Sequence, residues 1–382
     1  MSSKNLTYIL GAGSSKDFGF PLGPEIFARA VEVMKTVDSA DIKTGLRTAI
    51  EEVDQIMAKI YSDLPSDKAI YPLFEEVLTF IWQSRKYEYQ DWENGGELVS
   101  LYGKDTRDVF KVFVDMLTLT LSAITLSDPF NEELCLYQEF IKSLVSDKHK
   151  ISIISLNYDL IVDSVLLTCV KEGLIEDFNY GVPLYSLADG HICRKGGISL
   201  LKPHGSLNLS FCTGQRWGTS YHYSPKDNTI DIMKEVPTMC ADGSGHYVRP
   251  LIIPPLYVKE SYAKESKKAQ VYQSKRGVRT LDEGVIENYR KRVDRRIDDA
   301  LQNADEITII GYSMPPYDFD FKSLLIKGLM NNKNRAAVQI NIIDKGKGDQ
   351  LDELKSRFKH LAGEVKLIGQ NGFLDYIRSQ VP

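Results

Sequence analysis

Two hydrophobic rhythms alternate along this chain. Short apolar runs bounded by small or polar residues occur at residues 6–10, 151–156, 199–201, 306–310, 338–343 and 365–368. They predict strands, and the continuous β-branched content of 151–156 predicts one buried on both faces, as in a parallel sheet. Between the first run and the second the spacing is helical. Ile26, Phe27, Ala30, Val31 and Met34 recur at three and four, and residues 42–61, 71–82, 106–124 and 132–145 do likewise. Asp128 followed by Pro129 supplies an N-cap and a first-turn proline for the last of these helices. Residues 84–104, with Tyr87, Tyr89, Trp92 and the pair Gly95 and Gly96, read as an exposed loop. Beyond residue 150, runs and helices alternate: 160–170 is a helix behind the second strand, 210–245 is rich in turns, and a helix ends near Ala304. The pattern predicts an α/β fold. A doubly wound, Rossmann-like parallel sheet is built from residues 1–24 and 149–382, and residues 25–148 form a large all-helical insertion.

Composition adds bounds. A chain of 382 residues with 43% hydrophobic content can bury a sizeable core. No run approaches the roughly 18 apolar residues of a membrane span. Met1-Ser2-Ser3-Lys4 leads straight into a strand with no secretory pattern, so a cytoplasmic protein with no membrane partner is expected. A net charge of −5 offers no global attraction to nucleic acid. Residues 264–296 run against that balance, with eleven Lys and Arg to five Asp and Glu, but Val285, Ile286, Tyr289, Val293 and Ile297 keep helical spacing there. The basic residues then form a solvated or subunit-facing side of one helix, and a nucleic-acid surface is the less favoured reading. The five cysteines never occur as a C-x-x-C pair, so neither a disulfide frame nor a zinc ribbon is indicated, and no metal site is expected.

The chemistry gathers where strands end. The first run stops at Gly11-Ala12-Gly13-Ser14-Ser15, whose glycines would let backbone N–H groups approach a pyrophosphate at a helix N-terminus. The acidic residue that a dehydrogenase carries about twenty positions on is missing, which disfavours that class. The second run ends in Asn157-Tyr158-Asp159 and the third in Lys202-Pro203-His204-Gly205. Proline biases Lys202 toward extended geometry and Gly205 permits a left-handed φ, so His204 belongs at the C-terminal sheet edge, where open α/β sheets bind ligands. The fourth run opens into Gly311-Tyr312-Ser313-Met314-Pro315, and the fifth ends at Asp344, well placed for ribose hydroxyls.

In order and type these motifs resemble the sirtuins and their divergent bacterial relatives. Gly11, Ala12, Gly13 and Ser15 match the family's Gly-Ala-Gly-x-Ser. Asn157 and Asp159 match the end of its Thr-Gln-Asn-x-Asp, and His204-Gly205 its His-Gly. Gly311, Ser313 and Pro315 look like its later Gly-x-Ser loop, and Asn341, two residues before Ile343, like its ribose-binding asparagine. The family's paired C-x-x-C zinc ribbon and its Pro-Asp-Phe-Arg segment have no counterpart, which argues against protein deacylation. A long helical insertion without a zinc ribbon is similar to the sirtuin-like proteins of bacterial anti-phage systems. That resemblance implies an enzyme that hydrolyses NAD to nicotinamide and ADP-ribose and depletes the infected cell of it, assembled as a homo-oligomer with a HerA-type ATPase or comparable defence partner. It further implies His204 as the base, Asn157 orienting ribose or water, Asp159 fixing that geometry, and Gly11, Gly13, Ser15, Gly311 and Ser313 around the phosphates. Two alternatives stand beside it: a module that senses NAD or ADP-ribose without turnover, and a nucleic-acid-binding subunit.

Overall fold

The computed structural model describes residues 3–61, 65–68, 71–81, 106–127, 131–146, 149–182, 184–186, 190–192, 197–212, 221–223, 248–253, 281–346, 348–369 and 371–380. The exposed aromatic loop expected at 84–104, the Asp128-Pro129 cap and most of the turn-rich stretch lie outside them. In chain order, β1 (Asn5–Leu10) runs through the short α1 (Ala12–Lys16) and a 3-10 turn (Gly23–Glu25) into α2 (Ile26–Thr36) and α3 (Ala40–Ile60). Helix α4 (74–81), α5 (Thr106–Ser127) and α6 (Asn131–Ser146) follow, then β2 (Lys150–Ser155), α7 (Ile161–Lys171) and β3 (Phe178–Asn179). Next come β4 (Leu184–Ser186), β5 (Gly190–Ile192), β6 (Ile198–Leu201), β7 (Gly205–Cys212), β8 (Tyr221–Tyr223) and β9 (Val248–Ile252). The chain closes with α8 (Leu281–Gln302), β10 (Glu306–Ile310), α9 (Phe319–Met330), β11 (Gln339–Ile343), α10 (Asp349–Phe358), β12 (Glu364–Gly369) and α11 (Phe373–Gln380).

All six predicted runs become strands of one seven-stranded sheet in the order β12-β11-β10-β1-β2-β6-β3, with every pairing parallel. The doubly wound α/β sheet expected from the pattern is present. From β1 the chain builds outward through β2 and β6 on one side and later through β10, β11 and β12 on the other. The reversal therefore falls at β1 and β10, and a crevice opens above their C-terminal ends. Ile9, Ile154, Ile307, Ile309 and Ile340 are fully shielded, because a sheet covered by helices on both faces has no wet side.

Within the helical block, α2, α3 and α5 pack on one another, and α4 joins them through Phe74, whose ring lies 5.5 Å from Phe27 and 6.2 Å from Phe113. Helix α6 instead packs on α7 and α11, with Phe140 edge-on to Tyr8 at 5.9 Å and Tyr137 edge-on to Phe373 at 4.9 Å. The buried apolar residues of the block and of the sheet form one continuous cluster. In α8, Tyr289, Val293, Ile297 and Leu301 are fully buried against α9 and the sheet while Lys291, Arg292, Arg295 and Arg296 face outward, as the helical spacing predicts.

The sequence reading missed a second sheet. Strands β5-β4-β8-β7-β9 form a small, mostly antiparallel layer, and β7 carries the chain straight out of the His204 turn into the stretch read as turns. A period of two was present: Ser206, Asn208 and Ser210 alternate with Leu207, Leu209 and Phe211. Gly205 opens this strand at φ +80°, opposite Ile252, and a Cβ there would stand 1.8 Å from the Leu251 carbonyl oxygen. Backbone cannot yield as a side-chain tip can. Gly205→Ala is expected to cost more than the roughly 1–2 kcal/mol of a left-handed φ alone, read as a lowered midpoint of denaturant unfolding.

Candidate functional site

Two glycine loops meet at the crevice. The Gly11 amide donates to the Ile310 carbonyl, the Gly13 amide to the Gly311 carbonyl, and the Gly311 amide to the Ile343 carbonyl, each at 2.9 Å. A Cβ on Gly11 would lie 2.5 Å from the Gly311 carbonyl oxygen, and one on Gly311, at φ +61°, 2.2 Å from the Ser14 nitrogen. The glycines are demanded by this backbone-to-backbone contact. The amides of Gly11 and Gly13 themselves are spent on it. What these glycines supply is a locked loop pair, while Ala12 opens α1.

Asn157 and Asp159 brace the first loop from the neighbouring strand. The Asn157 amide nitrogen donates to the Gly11 carbonyl at 2.9 Å, to Ser14 Oγ at 3.1 Å and to Ser15 Oγ at 2.8 Å. Ser15 Oγ donates in turn to Asp159 Oδ2 at 2.7 Å, and the other oxygen of Asp159 accepts from the Ile161 amide at 3.1 Å at the start of α7. Burial raises the Asp159 carboxyl above its ordinary range, with the Lys202 charge and these donors pulling the other way. Both oxygens are engaged, so Asp159 holds geometry.

Lys202, two residues before His204, ties these parts together. Its ammonium is buried and donates to the Asp159 carbonyl at 2.6 Å and to Asp163 Oδ2 at 2.8 Å. Asp163 Oδ1 also accepts from Tyr180 at 2.6 Å and from Asn208 at 2.9 Å, and the Lys202 carbonyl accepts from the Tyr289 hydroxyl at 2.8 Å.

The imidazole of His204 is buried at the sheet edge, as expected, with Nε2 3.6 Å from Asp318 Oδ1. That is an electrostatic contact longer than a hydrogen bond. Asp318 caps α9 through the Phe321 amide at 3.3 Å and accepts from the Tyr312 hydroxyl at 3.0 Å. Burial, then the Asp318 charge, pushes the Tyr312 phenol far above its usual range. The Tyr158 ring lies 6.4 Å from the imidazole, and its hydroxyl donates to the Ile253 carbonyl at 3.1 Å. From the helical block, α4 contributes Glu75. Its carboxyl is raised above the ordinary range by burial, with the His204 charge opposing and Asp318 reinforcing.

The remaining predicted residues divide. Asp344 sits at the sheet edge beside the Gly311 loop, partly buried, with its carboxyl raised by burial. Ser313 is exposed, and its carbonyl accepts from Arg357 at 2.7 Å. Asn341 does not reach the crevice. It lies in mid-strand, donating to Glu306 Oε1 and accepting from Gln339, each at 2.6 Å, and those partners open β10 and β11 at the opposite end of the sheet. Sequence reasoning missed Asp318, Tyr312, Tyr158 and Glu75. Asp318 left a trace as a polar residue before an apolar helical run; Glu75, one acid among many on a helix, left none. Among the described residues no group of three or more His, Cys, Asp or Glu is placed to hold a metal ion, and no helix is long and apolar enough to cross a membrane.

No protein-family model and no curated protein matches the sequence. Two solved structures that resemble the chain are of sirtuins. One is Sir2 in complex with the inhibitor EX-527, 2'-O-acetyl-ADP-ribose and a deacetylated p53 peptide, at 11% identity and a TM-score of 0.36 over 98% of this chain and 91% of that one. Another addresses the structural basis of sirtuin substrate affinity, at 11% identity and 0.37 over 99% and 93%. Likenesses this remote carry no weight for function, which rests on the site itself.

The Lys202 network generates a prediction. Lys202→Met leaves the Asp163 carboxylate buried without its cation, so a loss of about 3–5 kcal/mol is expected in denaturant unfolding. Adding Asp163→Leu to it should recover much of that loss, since a buried pair replaced whole costs far less than one broken.

Proposed function

We propose that this chain hydrolyses NAD at the bond between nicotinamide and ribose, releasing nicotinamide and ADP-ribose. The observation that carries the reading is the convergence of a buried imidazole, a carboxylate 3.6 Å from it and an asparagine-braced glycine loop over the switch point of a doubly wound sheet. Cleavage passes through an oxocarbenium-like ribose, and the cationic nicotinamide leaves as a neutral molecule without help from an acid. The site must therefore supply a base for the attacking water and fixed dipoles around the sugar. His204 is the base, Asp318 orients it and stabilises the imidazolium as it forms, and Asn157 holds the loop against which the nucleotide lies.

The motif resemblance to sirtuin-like anti-phage proteins supports a role as the effector of a defence system that works by NAD depletion. In that role the chain is a cytoplasmic homo-oligomer that docks a HerA-type ATPase or comparable partner and is held in check by contacts with other subunits. One feature favours a second reading, an NAD or ADP-ribose sensor: the donors of Asn157 are all committed to the loop, as a purely structural brace would have them.

Chromatography of nicotinamide and ADP-ribose after incubation with NAD separates the two readings. Wild-type protein, alone or with the product of the adjacent gene, is expected to release both, and His204→Ala to lower the rate at least about 100-fold with an unchanged melting temperature. Tight NAD binding by calorimetry without nicotinamide release in either setting would leave the sensor. Light scattering at micromolar concentration is expected to show a multimer with weak hydrolysis on its own; a fully active monomer would sink the regulatory part.

A further inference from the structure

Helix α8 turns two unlike faces. Inward, Tyr289, Val293, Ile297 and Leu301 are fully buried, and the Tyr289 hydroxyl is anchored on the Lys202 carbonyl. Outward, from residue 288 to the end of the helix, the exposed residues are Asn288, Lys291, Arg292, Arg295, Arg296 and Asp299. None of them is apolar or aromatic. Among the described residues Arg292, Arg295 and Arg296 have no hydrogen-bond or ion-pair partner. The flank toward α9 is neutralised by two ion pairs, Arg290 with Asp320 and Lys327 with Asp298, the latter at 3.0 Å. The exposed apolar residues Phe319 and Met330 belong to α9, beyond that paired flank. Arg296 lies on the other flank, where a Cβ on Gly181 would stand 3.2 Å from its Cγ. Its stem is seated against that glycine while the residue stays exposed.

Three unpaired arginines within about 6 Å of helix rise make a positive stripe on a chain whose net charge is −5. The residues around them decide which anion fits. A protein partner needs an apolar centre to its interface, and a helix held by a lipid surface inserts apolar side chains into it; the stripe offers neither. Single-stranded nucleic acid is held on aromatic platforms, which these residues also lack. A duplex requires none of these. Its phosphates take charge-assisted, bidentate hydrogen bonds from arginine, and it carries a negative charge about every 1.7 Å along its axis, so each arginine of the stripe finds a phosphate. We propose that the outward face of α8 binds the phosphate backbone of double-stranded nucleic acid through Arg292, Arg295 and Arg296. Phosphate contacts carry no sequence information, so the binding is independent of sequence. Nothing in the argument draws on NAD turnover.

Fluorescence anisotropy with two labelled DNA duplexes of about 20 base pairs and unrelated sequence tests this. In about 50 mM salt the wild-type protein is expected to bind both equally, with Kd on the order of 1–100 µM, and log K against log salt to fall with a slope of about −2.7 for three phosphates. Arg292→Gln with Arg296→Gln should weaken binding at least about 10-fold and bring the slope to about −0.9, with the melting temperature unchanged. Lys35→Gln with Arg47→Gln removes the same charge from exposed positions on α2 and α3 and should leave affinity and slope as they are. A labelled single strand of the same length should bind more weakly than the duplex. Absence of binding in that salt, equal losses in the two double variants, or tighter binding of the single strand overturns the proposal. So does an α8 variant that changes the particle mass in light scattering at unaltered duplex affinity, because the stripe then belongs to a neighbouring subunit. If the α8 double variant does not fold, Arg295→Gln alone must lower the slope by about 0.9, or the stripe is not the site. NAD hydrolysis enters none of these readouts, so a protein that binds duplex without cleaving NAD keeps this inference and loses the hydrolase.

Discussion

The ammonium of Lys202 is the tie on which the site's geometry depends. A buried cation costs several kcal/mol in desolvation unless its donors are met, and this one is met by the Asp159 carbonyl on the turn after β2 and by the Asp163 carboxylate on α7. Two segments distant in sequence are thereby held to one point: the end of β6 and the connection that leads from β2 into α7. Because His204 follows Lys202 by two residues and Asn157 precedes Asp159 by two, fixing the lysine fixes the span between the imidazole and the asparagine. Such buried pairs do little for net stability compared with apolar replacements. Their contribution here is registration.

The glycine loops show a second constraint of this kind. Backbone pressed against backbone at Gly11, Gly13 and Gly311 joins the strands on either side of the sheet's reversal point, where a doubly wound fold would otherwise part. A chain that closes the gap in this way trades amide donors for rigidity.

The fold was legible because a parallel sheet buried on both faces needs unbroken apolar runs, and the six runs had no competing explanation. His204 was legible for a local reason, since Pro203 and Gly205 leave the turn little freedom. The smaller sheet was harder to see, because its alternation of Ser206, Asn208 and Ser210 with apolar neighbours spans a single strand and its partners are distant in sequence. Asn341 misled because a residue in a strand of the right order need not be at the right height along it. Glu75 was invisible for a deeper reason: an acid on an amphipathic helix looks solvated until the helix is docked, and only the docked structure shows one of its oxygens buried away from water.

Ile253 joins the two sheets mechanically. Its amide donates to the His204 carbonyl at 2.8 Å and its carbonyl accepts from the Tyr158 hydroxyl, one residue beyond the end of β9. The main chain of His204 and the ring beside it are thus hung from the rim of the smaller sheet. A shift of β9 by a fraction of an ångström would turn both together, so the smaller sheet acts as a tuning peg for the imidazole.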